Sequence, residues 1–297
     1  MSIQTVGFVG VGRLGLPLAS ALLDAGFNVL CTARGRSAEL VERGGVVPGD
    51  GSVRAVADES DLVLSCLPSA AALRETIEGS AGLLAAEHVP PLVELSTLAV
   101  DLKSEIREKL VARGSDLLDA PVSGTPAMVA ARIAVIYASG DPLLHDRAQA
   151  VIKAMSPHFV YVGEFGTGTK MKLIAQYLGL VHVTAAAEAM AYAELSGLNL
   201  QQVTELISAS PGAVSGQFKI RAPLMAAGQY EGRLVTVDLV LKDIGEVLSY
   251  GTEVNAPVSL IKVAERHFRR LEVDGYGSAD PAKLFDAFVS QARQGVQ

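Results

Sequence analysis

Two hydrophobic rhythms divide the chain. Up to about Gly163, short apolar runs alternate with stretches of helical periodicity; the runs are Thr5–Val9, Asn28–Thr32, Leu62–Cys66, Pro91–Leu95, Leu117–Ala120, Ile133–Ala138 and Phe159–Val162. Strands alternating with helices in this way predict a mostly parallel sheet with crossover helices. Beyond Gly163 the β-rich runs give way to Ala- and Leu-rich segments of helical period. The first spans about Gly168 to Leu195, is ended by Ser196-Gly197, and is roughly 40 Å long at 1.5 Å per residue. Further helices are expected at Leu200–Ser208, Gln217–Ala227, Val237–Tyr250, Val258–Leu271 and Pro281–Gln291, separated by Gly and Pro. The pattern reads as an α/β Rossmann-type domain over residues 1–163, joined by a long helix to an all-α domain over 164–297.

The turn after the first strand gives the sheet domain a chemistry. Residues 7–22 read GFVGVGRLGLPLASAL, with Gly10, Gly12 and Gly15 at GxGxxG spacing between an apolar run and an amphipathic segment. Gly10 permits the tight strand-to-helix turn, Gly12 lets phosphates approach the backbone, and Gly15 lets the helix pack closely on the strand. The helix N-terminus then offers N–H groups to a pyrophosphate. Val11, Arg13 and Leu14 complete the expected cofactor loop.

Composition narrows the class. The 297 residues can bury a core in two domains, and 49% hydrophobic with 19% charged residues is a globular balance. A net charge of −7 argues against sequence-independent nucleic-acid binding. Cys31 and Cys66 offer no material for a disulfide framework and are expected as core residues in a reducing compartment. The five His residues are scattered, which disfavours a catalytic metal. The N-terminus lacks the basic start and apolar core of a signal peptide. The most membrane-like stretch, Leu178 to Leu195, carries His182, Glu188 and Glu194 and suits a buried helix better than a bilayer span. A cytoplasmic enzyme is the expectation, without membrane or nucleic-acid partners.

The second strand bears on the choice of dinucleotide. NAD-preferring folds place an acid near its end to hold the adenosine ribose. Here the sequence reads Thr32-Ala33-Arg34-Gly35-Arg36-Ser37, with no acid. Guanidinium groups at Arg34 and Arg36 can pair with a 2′-phosphate, which favours NADP over NAD. The competing reading makes them solvated loop charges.

Further segments fall in a fixed order along nearly the whole chain: Leu67-Pro68, Glu94-Leu95-Ser96-Thr97, Asp119-Ala120-Pro121-Val122-Ser123-Gly124, Gly166-Thr167-Gly168 followed by Lys172, and Lys242-Asp243. With the glycine loop, the set resembles the β-hydroxyacid dehydrogenase family, relatives of 3-hydroxyisobutyrate dehydrogenase, tartronate semialdehyde reductase and glyoxylate/succinic semialdehyde reductase. The resemblance implies that Leu67, Pro68, Ser96 and Thr97 line the cofactor and that Ser123 and Gly124 hold a substrate carboxylate. It also implies that Lys172 is the catalytic lysine and that Lys242 returns from the helical domain toward the nicotinamide. Dimers or tetramers are implied as well.

The residues suit that chemistry. Interconverting an alcohol and a carbonyl moves a hydride to or from the nicotinamide and a proton to or from a side chain, and one titratable group can serve both directions. Lys172 lies near the start of the long helix, where desolvation and the positive helix end disfavour the ammonium and bring its pKa toward working pH. Lys170 is expected to be solvated. Ser123, Gly124 and Thr125 follow a strand in a Pro-flanked turn, so a hydroxyl and backbone N–H groups can converge on an anion; Asp119 is expected to cap that turn. Two departures from the family bear on substrate: Gln176 stands where Asn is common, on the same helix face as Lys172, and Thr125 stands where glycine is common. Val11, Leu14 and Phe218 are candidate apolar walls or packing residues. The leading expectation is an NADP-linked dehydrogenase or reductase of a short hydroxy acid or aldehyde acid. An NADPH-dependent imine reductase and a non-catalytic dinucleotide-binding module are the alternatives.

Overall fold

The computed structural model describes residues 3–231 and 235–295. It divides into two compact units, Met1–Lys172 and Leu173–Gln297.

The first unit is built on β1 (Thr5–Val9), α1 (Gly15–Asp24), β2 (Asn28–Cys31), α2 (Ser37–Glu42), α3 (Val53–Asp58), β3 (Leu62–Ser65), α4 (Ala70–Glu78), β4 (Leu92–Glu94), α5 (Val100–Val111) and β5 (Leu117–Asp119). These strands form a parallel sheet in the order β2-β1-β3-β4-β5. Its strands read as continuous apolar runs because helices cover both faces. Alternation at period two assigns each strand to two layers. Phe8, Leu64, Val93 and Leu118 pack into one core with Leu18 and Leu22 of α1, whereas Val9, Val63, Leu92 and Leu117 pack into the other with Leu73 and Ile77 of α4 and Ile106 of α5.

The chain then departs from the expected single sheet. β6 (Val122–Ser123), α6 (Pro126–Ala130), β7 (Val135–Ala138), α7 (Pro142–Met155) and β8 (Phe159–Tyr161) build a separate three-stranded sheet, with β6 antiparallel and β8 parallel to β7. β6 is only two residues long and follows β5 so closely that apolar patterning gave no sign of it. An isolated antiparallel bridge between Asp119 and Ser139 links the end of β5 to the end of β7.

α8 (Thr167–Leu195) crosses from one unit into the other. The second unit adds α9 (Leu200–Ser208), α10 (Gly216–Ala227), α11 (Val237–Glu253), α12 (Ser259–Val273) and α13 (Leu284–Gly295). All five expected helices are present; the last opens with a 3-10 turn at Pro281–Lys283. On α12, Ile261, Ala264, Phe268 and Leu271 repeat at the three- and four-residue spacing of one buried face. They share a core with Leu180, Val183, Ala187 and Met190 of α8 and with Phe218, which is a packing residue. α8 is long and apolar enough to span a bilayer by length and composition; in this unit its apolar face forms core.

Candidate active site

Apart from Lys242, the sequence-expected cofactor segments follow the C-terminal ends of parallel strands. β1 is flanked by β2 on one side and β3 on the other, so the chain leaves it in opposite directions. Such a switch point opens a crevice at the strand ends, the usual ligand position in an open α/β sheet. The glycine turn lies there. Gly10 has φ +96°, and a Cβ on it would collide with the carbonyl of Cys66; a Cβ on Gly15 would collide with the carbonyl of Gly10. Gly12, by contrast, faces nothing within 4 Å. Two glycines therefore shape the turn, and the third faces open space into which a side chain would project. α1 begins at Gly15 with no side-chain cap, the arrangement that a bound pyrophosphate completes. These features fit a dinucleotide.

The neighbouring segments close on this turn. The Val11 side chain is buried in the core, and its carbonyl accepts from Arg36 N at 2.7 Å, so the glycine turn and the arginine loop are held together through backbone. Leu14 packs partly buried against the same core. Arg13 and Arg34 are exposed. Arg36 is also exposed, but its guanidinium makes a two-pronged pair with Glu39, Nε and one terminal nitrogen each 2.6 Å from a carboxylate oxygen. Arg34 and Arg36 thus differ in a way their spacing did not reveal.

Leu67 and Ser96 are brought together: Leu67 N donates to Ser96 Oγ at 2.7 Å. Ser96 is itself fixed at both backbone ends. Its N–H donates to Glu94 Oε1 at 2.8 Å and its carbonyl accepts from Lys103 Nζ at 2.7 Å. Glu94 is fully buried, also bonded by Ser65 Oγ, and burial pushes its carboxyl above the usual range despite the nearby Lys103 cation. Pro68 is exposed and Thr97 half-buried beside these residues in sequence. Cys66 is a free thiol pushed up to about 12 by burial and the nearby Glu94, which makes it a poor nucleophile at neutral pH. Cys31 is free and buried.

Asp119 does not cap the Ser123 turn. Its fully buried carboxylate accepts from Lys103 Nζ and Thr169 Oγ1 on Oδ1, each at 2.7 Å, and from Thr169 N at 2.7 Å on Oδ2. Ser139 Oγ lies 3.3 Å from Oδ2 and accepts from Gly168 N at 2.9 Å. Side chains from the ends of β5 and β7 therefore cap the first turn of α8, and a negative charge there is favoured by the helix dipole. Gly168 is required by the same contact, because a Cβ would collide with the Tyr137 carbonyl. Thr125 is the residue that caps a turn: its Oγ1 accepts from Met128 N at 3.3 Å at the start of α6. Ser123 and Gly124 are half-buried, with Ser123 paired to Val135 in the small sheet.

Lys172 is the sixth residue of α8 and is only 9% exposed, as is Gln176 one turn further. Thr169, Lys172 and Gln176 share one helix face by their spacing. Gln176 Oε1 is buried without a hydrogen-bond partner. Lys170 is exposed, as expected. Lys242 is half-buried on α11 with its Nζ 4.0 Å from Asp243. Lys103, Glu94 and Thr169 were not read as site residues from the sequence. A signal existed for the lysine: Lys103 stands three residues before Ile106 and seven before Leu110, on the buried face of α5. Among the described residues no group of three or more His, Cys, Asp or Glu could hold a metal ion.

A glycine turn at a switch point, a long helix capped from the sheet and a buried lysine on its second turn define a nicotinamide dinucleotide-dependent oxidoreductase with a Rossmann-type domain and a helical domain. Residues 5–163 match the NAD-binding domain of 6-phosphogluconate dehydrogenase, and residues 166–288 match the NAD-binding domain of NADP-dependent 3-hydroxyisobutyrate dehydrogenase. The chain is similar to an L-threonate dehydrogenase from Cupriavidus necator, 31% identical over 96% of each chain. It is 26% identical to a 2-(hydroxymethyl)glutarate dehydrogenase from Eubacterium barkeri, over 93% of this chain and 91% of the relative. Among solved structures, 3-hydroxyisobutyrate dehydrogenase from Salmonella typhimurium superposes with TM-score 0.86 at 28% identity, covering 96% of this chain and 100% of the other. The chain belongs to the β-hydroxyacid dehydrogenase family, oxidoreductases that act on hydroxy acids with a nicotinamide dinucleotide.

Proposed function

We propose that the protein interconverts a short hydroxy acid and its carbonyl product with NADP(H), using Lys172 as proton donor and acceptor. The observation that carries this reading is a lysine with only 9% of its surface exposed, on a helix whose first turn is pinned to the strand ends by Asp119 and Ser139. A lysine on an ordinary surface helix extends into water; this one is withheld from it. When bound, the dinucleotide supplies the hydride acceptor or donor. Gly10, Gly12 and Gly15 would seat its pyrophosphate, with Leu67, Pro68, Ser96 and Thr97 along it. Ser96 Oγ accepts from Leu67 N, which ties the two cofactor-lining segments together. Lys242 is assigned to the cofactor on its Lys-Asp motif. Arg34, exposed and next to the glycine turn, would pair with a 2′-phosphate, and this supports NADP over NAD.

On the substrate side, Ser123, Gly124 and Thr125 would receive the carboxylate. The Thr125 hydroxyl is engaged as an acceptor in its cap, so it offers at most its proton. Lys172 would hold the hydroxyl oxygen, take its proton in oxidation and return it in reduction; Gln176, with an unmet acceptor, would bind a substrate hydroxyl. That unmet acceptor suits a polyhydroxylated acid, and the similarity to L-threonate dehydrogenases supports testing that substrate first.

The test follows NADP+ and NAD+ reduction with L-threonate, 3-hydroxyisobutyrate and 2-(hydroxymethyl)glutarate, and NADPH oxidation with glyoxylate, succinic semialdehyde, tartronate semialdehyde and a cyclic imine. Turnover of one hydroxy acid or semialdehyde is expected, and Lys172→Ala should lower kcat by about 10³ with dinucleotide affinity kept. Turnover of the imine alone, or full activity in Lys172→Ala, would overturn the reading.

A further inference from the structure

We propose that Lys103, Asp119 and Thr169 form a buried positioning hub that sets Lys172 and Ser96 in register for hydride and proton transfer, an inference that rests on the function proposed above. Lys103 is completely buried, and its ammonium uses each of its three donors: to Ser96 O at 2.7 Å, Asp119 Oδ1 at 2.7 Å and Thr169 Oγ1 at 3.1 Å. Asp119 is equally complete, with Lys103 and Thr169 Oγ1 on one oxygen and Thr169 N and Ser139 on the other. A lysine has three protons and a carboxylate about four acceptor positions, so neither group has spare capacity.

The three segments joined by this hub are the ones that carry the proposed chemistry. Ser96 is itself an expected cofactor contact. Asp119 leads in four residues to Ser123, and Thr169 precedes Lys172 by three, on the same helix face. A buried pair is weak evidence for stability, since apolar residues of similar volume usually serve as well. What a fully bonded pair supplies beyond them is direction and distance. Displacing a proton-transfer group by about 1 Å can cost about a hundredfold in rate. These are positioning residues: none is assigned contact with substrate or cofactor.

Thr169→Val tests this with little disturbance, because the shape and the Thr169 N–H to Asp119 bond survive while the hydroxyl tie to Lys103 and Asp119 is lost. Dinucleotide affinity is read by NADPH fluorescence, and turnover is read with L-threonate or the panel acid that gives the highest rate. The expected result for Thr169→Val is kcat down at least tenfold, NADPH affinity within twofold of wild type, and a larger deuterium isotope effect on kcat with the label on the hydride-donating carbon, which is the substrate carbinol carbon in oxidation and nicotinamide C4 of NADPH in reduction. Thr169→Ser should restore most of the rate. Lys103→Met should lower kcat and weaken NADPH binding together, because it also releases Ser96. A folded Thr169→Val with wild-type kcat and isotope effect, or a Thr169→Ser no better than Thr169→Val, overturns the proposal. Lys172→Ala is the reference: if it is inactive while Thr169→Val is unaffected, only the hub fails, whereas an active Lys172→Ala removes the reading beneath it.

Discussion

Two groups of charged side chains in the sheet unit are built on opposite terms. Lys103 on α5 and Asp119 at the end of β5 are wholly buried, with every donor and acceptor used. On the outer faces, Arg74 pairs with Glu78 and Glu105 while Lys109 bridges the same two acids, and Arg36 pairs with Glu39, all substantially exposed. Water competes for every group in the second set and for none in the first. The buried set is therefore fixed by the protein and unavailable to a ligand; the exposed set is loosely held and free to exchange partners. Charge that positions and charge that recognises are kept apart.

The largest break in this comparison comes from removing one half of the buried pair. Asp119→Asn leaves the Lys103 ammonium without its counter-charge in a dry site, and a loss of about 3–5 kcal/mol in unfolding free energy is expected by urea denaturation. Replacing both as Lys103→Met with Asp119→Leu should recover part of that loss. Arg74→Ala, measured alongside, should leave the urea midpoint unchanged because its partners are solvated. Equal losses at Asp119 and Arg74 would erase the distinction.

A smaller effect is expected at Glu94, the dry carboxyl beside the pair. Burial raises its folded pKa above the unfolded value, so its contribution is fully present below the unfolded pKa and declines as pH rises through the folded one. Glu105 behaves in the opposite sense: its pairing with Arg74 and Lys109 lowers it to about 2, so its small contribution is lost as pH falls from its unfolded pKa, near 4.5, through that value. Glu94→Gln keeps an acceptor for Ser96 N and removes the ionisation. Thermal scans across pH 5–9 should show wild type losing stability toward alkaline pH relative to Glu94→Gln. Parallel curves would show that Glu94 ionises in the fold as readily as in the unfolded chain.

How much of this could be read beforehand follows the range of the interactions. β1 and α9 were legible to the residue, because apolar period and local caps such as Asn199 on Gln202 N decide them within a few positions. Gly10 and Gly15 were legible because a strand-to-helix turn forces their backbone. β6 was not, since two residues carry no period. Asp119 was misassigned to the nearby turn because its partners lie 16 and 50 residues away, at Lys103 and Thr169. Lys103 looked like one more charge on a charged helix. The family resemblance drew attention to Lys172 and Ser96 without indicating what holds them. That support comes from long-range satisfaction of buried polar groups, which no local pattern records.

The finest test of the comparison lies in the arginine loop, where two guanidinium groups two residues apart differ only in their partner. Arg34→Ala should reduce the preference for NADPH over NADH by about tenfold, the loss of one charge-assisted contact to a 2′-phosphate. Arg36 begins already engaged with Glu39. If exposed charge is free to exchange, Glu39→Gln releases Arg36 toward the same phosphate and should tighten NADPH by about twofold with NADH unchanged, since an exposed pair is a weak competitor. Thermal stability should not move. NADPH affinity that falls in Glu39→Gln would instead mean that the pair holds the loop in its binding shape, and that Arg36 acts here as Lys103 does in the interior, by positioning rather than by recognition.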